Sequence, residues 1–251
     1  MHVVSTGGPS RAFPQCLWET FGLGIHIQLN HQGGLEMTTT APVLYESKGS
    51  PNARRVRFFI SEKGIVIPMK AVDLGAKEQF SDAFRAINPR SQVPALALTD
   101  GPVIAEVLAI WRYLEEAYPQ TLLLGTTPTS KALVTMWERR AELDGFVPVM
   151  EGVRNAVAGL KGRALAGPHA YDQIPELVER SKQRVANFFA DFNERLGTVR
   201  YVAGDEFSAA DITTLVTVDF AVNALKMPIS AELTGFQRWY DEISARPGAA
   251  A

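Results

Sequence analysis

The sequence predicts an α/β domain with the element order βαβ-α-ββ-α, followed by an all-helical domain. Three observations carry this expectation. Short apolar runs alternate with stretches of helical periodicity from residue 42 to residue 118. A hairpin turn signal, Thr99-Asp100-Gly101, separates two short strand-like runs. Beyond a polar, proline-containing linker at Gly125 to Ser130 there is helical periodicity and no strand signal.

Each element has a local cause. Val43-Leu44-Tyr45 is a short apolar strand. Ser50-Pro51 opens a helix, because serine is a good N-cap and proline suits the first helical position. Val56, Phe59 and Ile60 follow at helical spacing, Lys63 falls in the last turn and Gly64 stops it. Ile65 to Val72 reads as a second strand, interrupted near Pro68 and therefore at an edge or bulged. Strand, helix and strand in this order imply parallel pairing. A weak helix over Gln79 to Ile87 ends at Asn88-Pro89. Pro94 to Leu98 and Val103-Ile104 form the hairpin. Glu106 to Tyr118 is an amphipathic helix with Val107, Ile110, Trp111 and Leu114 on one face, stopped before Pro119.

Long amphipathic helices are expected over Lys131 to Ala158, with a kink at Pro148, and over Ile174 to Leu196, Ser208 to Leu225 and Ala231 to Ser244. Ser208 and Asp211, flanked by Phe207 and Ile212, form a capping box with a hydrophobic staple, a structural role. The expected divisions are a leader over 1–40, a first domain over 41–120, a linker over 121–130 and a helical domain over 131–251. The leader has two double glycines and no sustained period. It is expected to be disordered or a non-native extension ahead of a start at Met37. Only Arg11 precedes its apolar stretch, so it does not read as a signal peptide.

The bulk numbers exclude several classes. The chain has 251 residues, 46% hydrophobic and 21% charged, with a formal net charge of -2. That is ordinary globular composition with no bulk attraction to nucleic acid. Arg54, Arg55 and Arg57 read as a solvated helix face, with Glu62 close behind. No run approaches the ~20 apolar residues of a membrane helix. Cys16 is the one cysteine, which rules out an intrachain disulfide, a Cys-x-x-Cys pair and a cysteine zinc site. A lone thiol fits a reducing compartment. His2, His26, His31 and His169 form no metal-ligand spacing, and no glycine-rich phosphate loop is present.

Four motifs, in order, carry a resemblance. They are Ser50-Pro51 at the first helix, the segment Asn88-Pro89-Arg90-Ser91-Gln92-Val93-Pro94-Ala95-Leu96, the junction Ile104-Ala105-Glu106, and the run from Tyr201 through Gly204, Ser208 and Asp211 to Ile212. With the element order, they make the chain from Val43 to the C-terminus resemble the glutathione transferase family. Met136 to Leu143 is similar to its theta-like branch in fungi and bacteria. The resemblance implies a thioredoxin-like domain that holds glutathione by its backbone and a helical domain that offers a pocket to a small hydrophobic electrophile. It implies a cytoplasmic homodimeric enzyme of detoxification that transfers alkyl or aryl groups, with glutathione peroxidase activity as an extension. It implies no metal, nucleic-acid or membrane partner.

The chemistry explains the residue types. A thiol with a pKa near 8.5 is only about 3% thiolate at pH 7. Lowering that pKa by about two units takes about 2.7 kcal/mol. One hydroxyl donating to the thiolate gives roughly 1.5–3 kcal/mol, and a helix N-terminus adds roughly 0.3–1 kcal/mol. Ser50 would supply both, and it reads equally as a plain N-cap. Tyr45 and Asn52 are further donor candidates, although Tyr45 sits inside a strand. Val93-Pro94 resembles the family's cis-proline, whose preceding backbone groups pair with the cysteinyl backbone of glutathione like an added strand. Gln92 would reach the glycyl end. Glu106 would take the γ-glutamyl ammonium, and the free N–H groups of the following helix would take the α-carboxylate.

Two departures from the family pattern stand out. Val107 replaces the usual Ser or Thr after the glutamate, leaving only a backbone N–H. Gln79-Phe80 stands where a His or Lys contacts the glycyl carboxylate, leaving Gln79 as the contact. Both predict weak glutathione binding or a modified thiol. They also favour a competing reading, a non-catalytic binding or assembly module on the same fold. Asp144, Phe146 and Met150 are candidate walls of the electrophile pocket. The last residues, Arg246 to Ala251, form no further pocket-covering helix, so open access is expected.

Overall fold

The computed structural model describes residues 41–99 and 101–251, together with the backbone of β1 (Ile25–Leu29) and β2 (Leu35–Thr39). These two strands pair antiparallel, Ile27 opposite Met37, in a unit separate from Pro42–Ala251. The remainder of the expected leader lies outside the described residues.

Within Pro42–Ala251 the first elements are β3 (Val43–Glu46), α1 (Pro51–Glu62) and β4 (Met69–Ala71). A 3-10 turn (Glu78–Phe80) and α2 (Asp82–Ile87) follow, then β5 (Ala95–Ala97), β6 (Val103–Ala105) and α3 (Val107–Ala117). The sheet order is β4-β3-β5-β6. β3 and β4 are parallel, and β5 runs antiparallel to both β3 and β6.

The second strand is shorter than expected, and Pro68 is the reason. It has no N–H to give the ladder, yet its carbonyl accepts from the Leu44 N–H at 2.9 Å, so regular pairing starts only at Met69. The weak helix is split because Ser81 takes an extended conformation and caps α2, its Oγ accepting from the Phe84 N–H at 3.2 Å.

The helical half runs α4 (Pro128–Arg140), a π-helical turn (Ala141–Phe146), α5 (Val147–Ala156), α6 (Glu176–Leu196), α7 (Ala209–Phe220) with a second π-helical turn (Ala221–Leu225), and α8 (Thr234–Ser244). The expected kink at Pro148 is absorbed by the first π turn. Proline lacks the N–H and its ring crowds the carbonyl four residues back, so the backbone widens just before it. Gly145 lets this turn meet α6: a Cβ there would lie 2.8 Å from the Phe188 ring.

One apolar core joins both halves. Phe58 and Phe59 of α1 and Trp111 of α3 belong to the same buried cluster as Phe188, Phe236 and Trp239 of the helical half. Phe59 and Trp111 stack at 5.2 Å. A small second cluster of Val72, Phe84 and Val93 covers the other face of the sheet.

The capping box is present. Asp211, with no exposed surface, accepts from the Ser208 N–H at 2.9 Å, the Val202 N–H at 2.9 Å and the Trp239 indole at 2.8 Å. Burial pushes its carboxyl up to about 6 against those hydrogen bonds.

The arginine cluster corrects one expectation. Arg54 and Arg57 keep some contact with solvent, but Arg55 is 0% exposed. Its guanidinium lies 5.3 Å from the Trp111 ring and 5.0 Å from that of Phe146. It donates to Glu138 at 2.6 Å, Thr213 at 3.1 Å and Asn52 at 3.2 Å. A buried charge persists only when so paired. The partners are far off in sequence, and local reading had no access to them.

Candidate functional site

The sheet register decides which segments meet. Tyr45 lies opposite Ala95, and Ala95 lies opposite Ala105. The chain leaves β3 toward Ser50, enters β5 from Val93-Pro94 and leaves β6 at Glu106. All three segments therefore emerge at one end of the sheet.

Ser50 sits in the N-cap of α1, only 8% exposed, and its Oγ accepts from the Ala53 N–H at 3.3 Å. A hydroxyl has one hydrogen to give as well as lone pairs to accept with. Among the described residues that hydrogen goes to no acceptor, and it stands at the positive end of a three-turn helix. Asn52 is fixed differently. Its Oδ1 accepts from Arg55, so the amide nitrogen faces away from the guanidinium with its two hydrogens unspent. Tyr45 packs edge-on against Phe84 at 6.2 Å, with the Lys70 ammonium 5.5 Å from its ring, a packing role in β3.

The Val93-Pro94 bond is cis. The backbone N–H and C=O of Val93 have no partner among the described residues, because the ladder ends at Ala95. The loop before it is pinned by Asn88, whose Nδ2 donates to the Gln92 carbonyl at 2.8 Å and whose Oδ1 accepts from the Arg90 N–H at 3.1 Å. Ser91 is held in the left-handed region at φ 54. Its buried Oγ and the Oε1 of Gln79 have no hydrogen-bond partner. Gln79 itself is 6% exposed, in the 3-10 turn before α2. Gln92 is partly exposed at the edge of this loop.

Glu106 stands at the N-cap of α3 with φ 70, exposed, and caps nothing with its side chain. A left-handed non-glycine residue costs about 1–3 kcal/mol and is characteristic of functional positions. Its neighbour Val107 turns into the core. The first N–H groups of α3 therefore meet no side-chain acceptor, as an anion site requires.

The electrophile walls fare unevenly. Phe146 is buried between Arg55 and Phe220, so it belongs to the core and not to a pocket. Phe146 closes the π turn with its ring against partners from α1 and α7. Asp144 lines a cavity of about 320 Å³ with Trp137 and Arg140 on the outer side of α4 and α6. Met150 Sδ accepts from Arg154 at 3.3 Å.

One feature escaped the sequence reading. A cavity of about 270 Å³ is lined by Lys77 and Phe80 from the first domain and by Lys161, Arg163, Gly167 and His169 from the segment between α5 and α6. The signal was the short basic run Lys161-Gly162-Arg163, and nothing local ties it to Phe80. Among the described residues no group of three or more His, Cys, Asp or Glu side chains is placed to hold a metal ion, and no helix is long and apolar enough to cross a membrane.

Known proteins share this arrangement. Residues 44–122 match the family described as glutathione S-transferase, N-terminal domain, and residues 175–242 match its C-terminal domain. The chain is 31% identical over 222 residues to glutathione S-transferase 2 of Saccharomyces cerevisiae, covering 87% of this chain and 92% of that one. It is 29% identical over 208 residues to glutathione S-transferase F11 of Arabidopsis thaliana, covering 81% and 93%. A crystal structure of a glutathione S-transferase domain-containing protein from Marinobacter aquaeolei superposes with a TM-score of 0.75 at 32% identity, covering 82% of this chain and 98% of that one.

Proposed function

The chain belongs to the glutathione S-transferase family, and from that premise we propose that Ser50, Gln92, Val93 and Glu106 form its glutathione site, with Ser50 activating the thiol. The enzyme is a glutathione transferase with glutathione as co-substrate, and the relatives' names do not favour a non-catalytic module. The observation that carries the site assignment is the convergence, at one end of the sheet, of three unspent sets of groups. These are the Ser50 hydroxyl hydrogen, the Val93 backbone and the first N–H groups of α3.

In this reading the cysteinyl backbone of glutathione pairs with Val93, its α-carboxylate meets the Val107 N–H at the start of α3, and Glu106 takes its ammonium. Pro94 holds the Val93 groups clear of the ladder, and Gln79 lies buried with its Oε1 unpartnered in the turn before α2. The Ser50 hydroxyl donates to the sulfur. The thiolate then attacks a small hydrophobic electrophile: a C–S bond forms and the leaving group departs with the bonding pair, as halide from an organic halide. Addition to an activated alkene, or attack on a hydroperoxide oxygen with loss of an alcohol, uses the same thiolate. Asn52 supports a second reading, because Arg55 holds its amide with the donor side free.

The exposed apolar side chains Leu133, Met136, Leu143 and Val147, recurring along α4 and its continuation, support a homodimer. The reaction consumes a reduced thiol, which the cytoplasm maintains, and we place the enzyme there.

Ultraviolet titration of bound glutathione tests the assignment. Ser50→Ala is expected to raise the pKa of the bound thiol by about 1–2 units and to lower kcat/KM by roughly 10–100-fold. The same variant loses about 1 kcal/mol of stability with its cap. An unchanged thiol pKa in Ser50→Ala, with a raised one in Asn52→Ala, would move the role to Asn52.

A further inference from the structure

We infer that the cavity between the β4–α2 connection and the segment after α5 is a socket for the glycyl carboxylate of glutathione, its charge supplied by Lys77, Lys161 and Arg163. The inference rests on the glutathione site proposed above.

The lining is cationic without compensation. Lys77, Lys161, Arg163 and His169 face the cavity, and no carboxylate residue lines it. The ammonium groups of Lys77 and Lys161 meet no ion-pair or hydrogen-bond partner among the described residues. The acidic residues on the turn that carries Lys77 are committed elsewhere. Asp73 accepts from the N–H groups of Gly75 at 2.8 Å and Ala76 at 3.0 Å, and Glu78 accepts from the Asp73 N–H at 2.7 Å. Arg163 gives one nitrogen to the Gly159 carbonyl at 2.9 Å and keeps its other hydrogens.

The position fits the end of the tripeptide. Gly167 lines the cavity and also approaches Gln92: a Cβ at Gly167 would lie 3.6 Å from Gln92 Nε2 and 4.0 Å from the Arg90 carbonyl oxygen. A peptide paired through its cysteinyl residue with Val93 places its next residue about 3.3–3.6 Å further along. That step leads past Gln92 toward Gly167. Gly167 adopts φ 125, which side chains rarely tolerate, so the backbone there favours glycine.

The charge has to come from this segment. Gln79 is buried and neutral and Phe80 is apolar, so the position where the family pattern places a cation offers none. Lys77 stands two residues before Gln79, and Lys161 and Arg163 stand across the cavity on a segment whose backbone is pinned. The Arg163 carbonyl accepts from Arg154 at 2.8 Å, and Gln173 donates to the carbonyls of Arg154 at 2.7 Å and Val157 at 2.8 Å. Lys77 is fixed in the left-handed region at φ 62, the kind of outlier that persists where it serves a site.

Calorimetric titration with glutathione and with its glycyl monoethyl ester tests the inference on the wild-type chain before any substitution. The free acid is expected to bind about tenfold tighter than the ester, with a preference that shrinks as salt is raised. Lys77→Gln combined with Lys161→Gln is expected to abolish that preference, while the ester keeps its affinity within about twofold and the thermal midpoint stays put, since neither side chain has a partner to lose. Equal wild-type binding of acid and ester would overturn the socket and leave the thiol site standing. So would a preference that survives in the double variant. If the variant leaves glutathione binding alone and raises KM for a carboxylate-bearing electrophile, the cavity serves the acceptor and the inference fails. Failure of the wild-type chain to bind either ligand would bring down the glutathione site itself.

Discussion

Asp211→Ala separates folding from chemistry. The substitution removes the acceptor of three buried N–H donors, those of Ser208, Val202 and the Trp239 indole. Each donor left without water or protein costs roughly 1–3 kcal/mol, about 3–9 kcal/mol in all. Against this, the charge is itself costly where it sits. Burial has moved the carboxyl from 3.8 to about 6, and at about 1.4 kcal/mol per unit its removal returns about 3 kcal/mol. The net expectation is a loss of about 3 kcal/mol at pH 7.5, read by urea unfolding followed through tryptophan fluorescence, and a thermal midpoint lower by roughly 6–12 °C. Activity per folded molecule should stay within about twofold, because Asp211 touches none of the site segments. The pH dependence carries a definite sign. The folded carboxyl holds its proton more tightly than the unfolded one, so its stabilising contribution is full below 3.8 and is lost as pH rises through about 6. The gap between wild type and variant is therefore wider at pH 5 than at pH 7.5, by about 1 kcal/mol. A variant as stable as wild type, or one whose folded fraction has lost activity, would refute the reasoning.

Two further substitutions probe other features. Arg55→Leu strands the Glu138 carboxylate, whose pKa burial already raises, and is expected to cost about 3–5 kcal/mol in chemical denaturation; adding Glu138→Gln should recover part of that loss. Glu106→Gly relieves the left-handed backbone and is expected to stabilise the fold by about 1 kcal/mol while weakening glutathione by roughly tenfold; a variant that is both less stable and equally competent to bind would contradict the assignment.

The elements that local chemistry specifies were legible in the sequence. Ser50-Pro51 opens a helix wherever it stands in such a context, and the Ser208–Asp211 box predicted its own hydrogen bonds. The start of the second strand was misread because Pro68 acts through its carbonyl as well as its missing N–H. Arg55 was misread for a different reason. A guanidinium followed by other charges looks solvated until Glu138, Glu142 and Thr213 arrive from helices far along the chain. Phe146 failed in the same way, since the Arg55 and Phe220 side chains that enclose it come from far along the chain. Val93 and Glu106 were legible as motifs, but their convergence needed the register that aligns Tyr45, Ala95 and Ala105. Lys161 and Arg163 were invisible as site residues because they lie on an irregular segment with no period to read.

Helix α1 is clasped along its length by the other half of the chain. Arg54 donates to Asp219 at 2.6 Å and to the Ala249 carbonyl at 2.7 Å, and Glu62 accepts from Arg246 at 2.5 Å. The helix that presents Ser50 thus shares its fastenings with α7 and with the C-terminal turn. Evolutionary change in the acceptor specificity is constrained accordingly. A substitution that shifts α7 also shifts the N-cap at Ser50, the thiol donor proposed above, and would then penalise every substrate together. Lineages of this fold have freer room to diverge on segments that border the pocket without gripping α1.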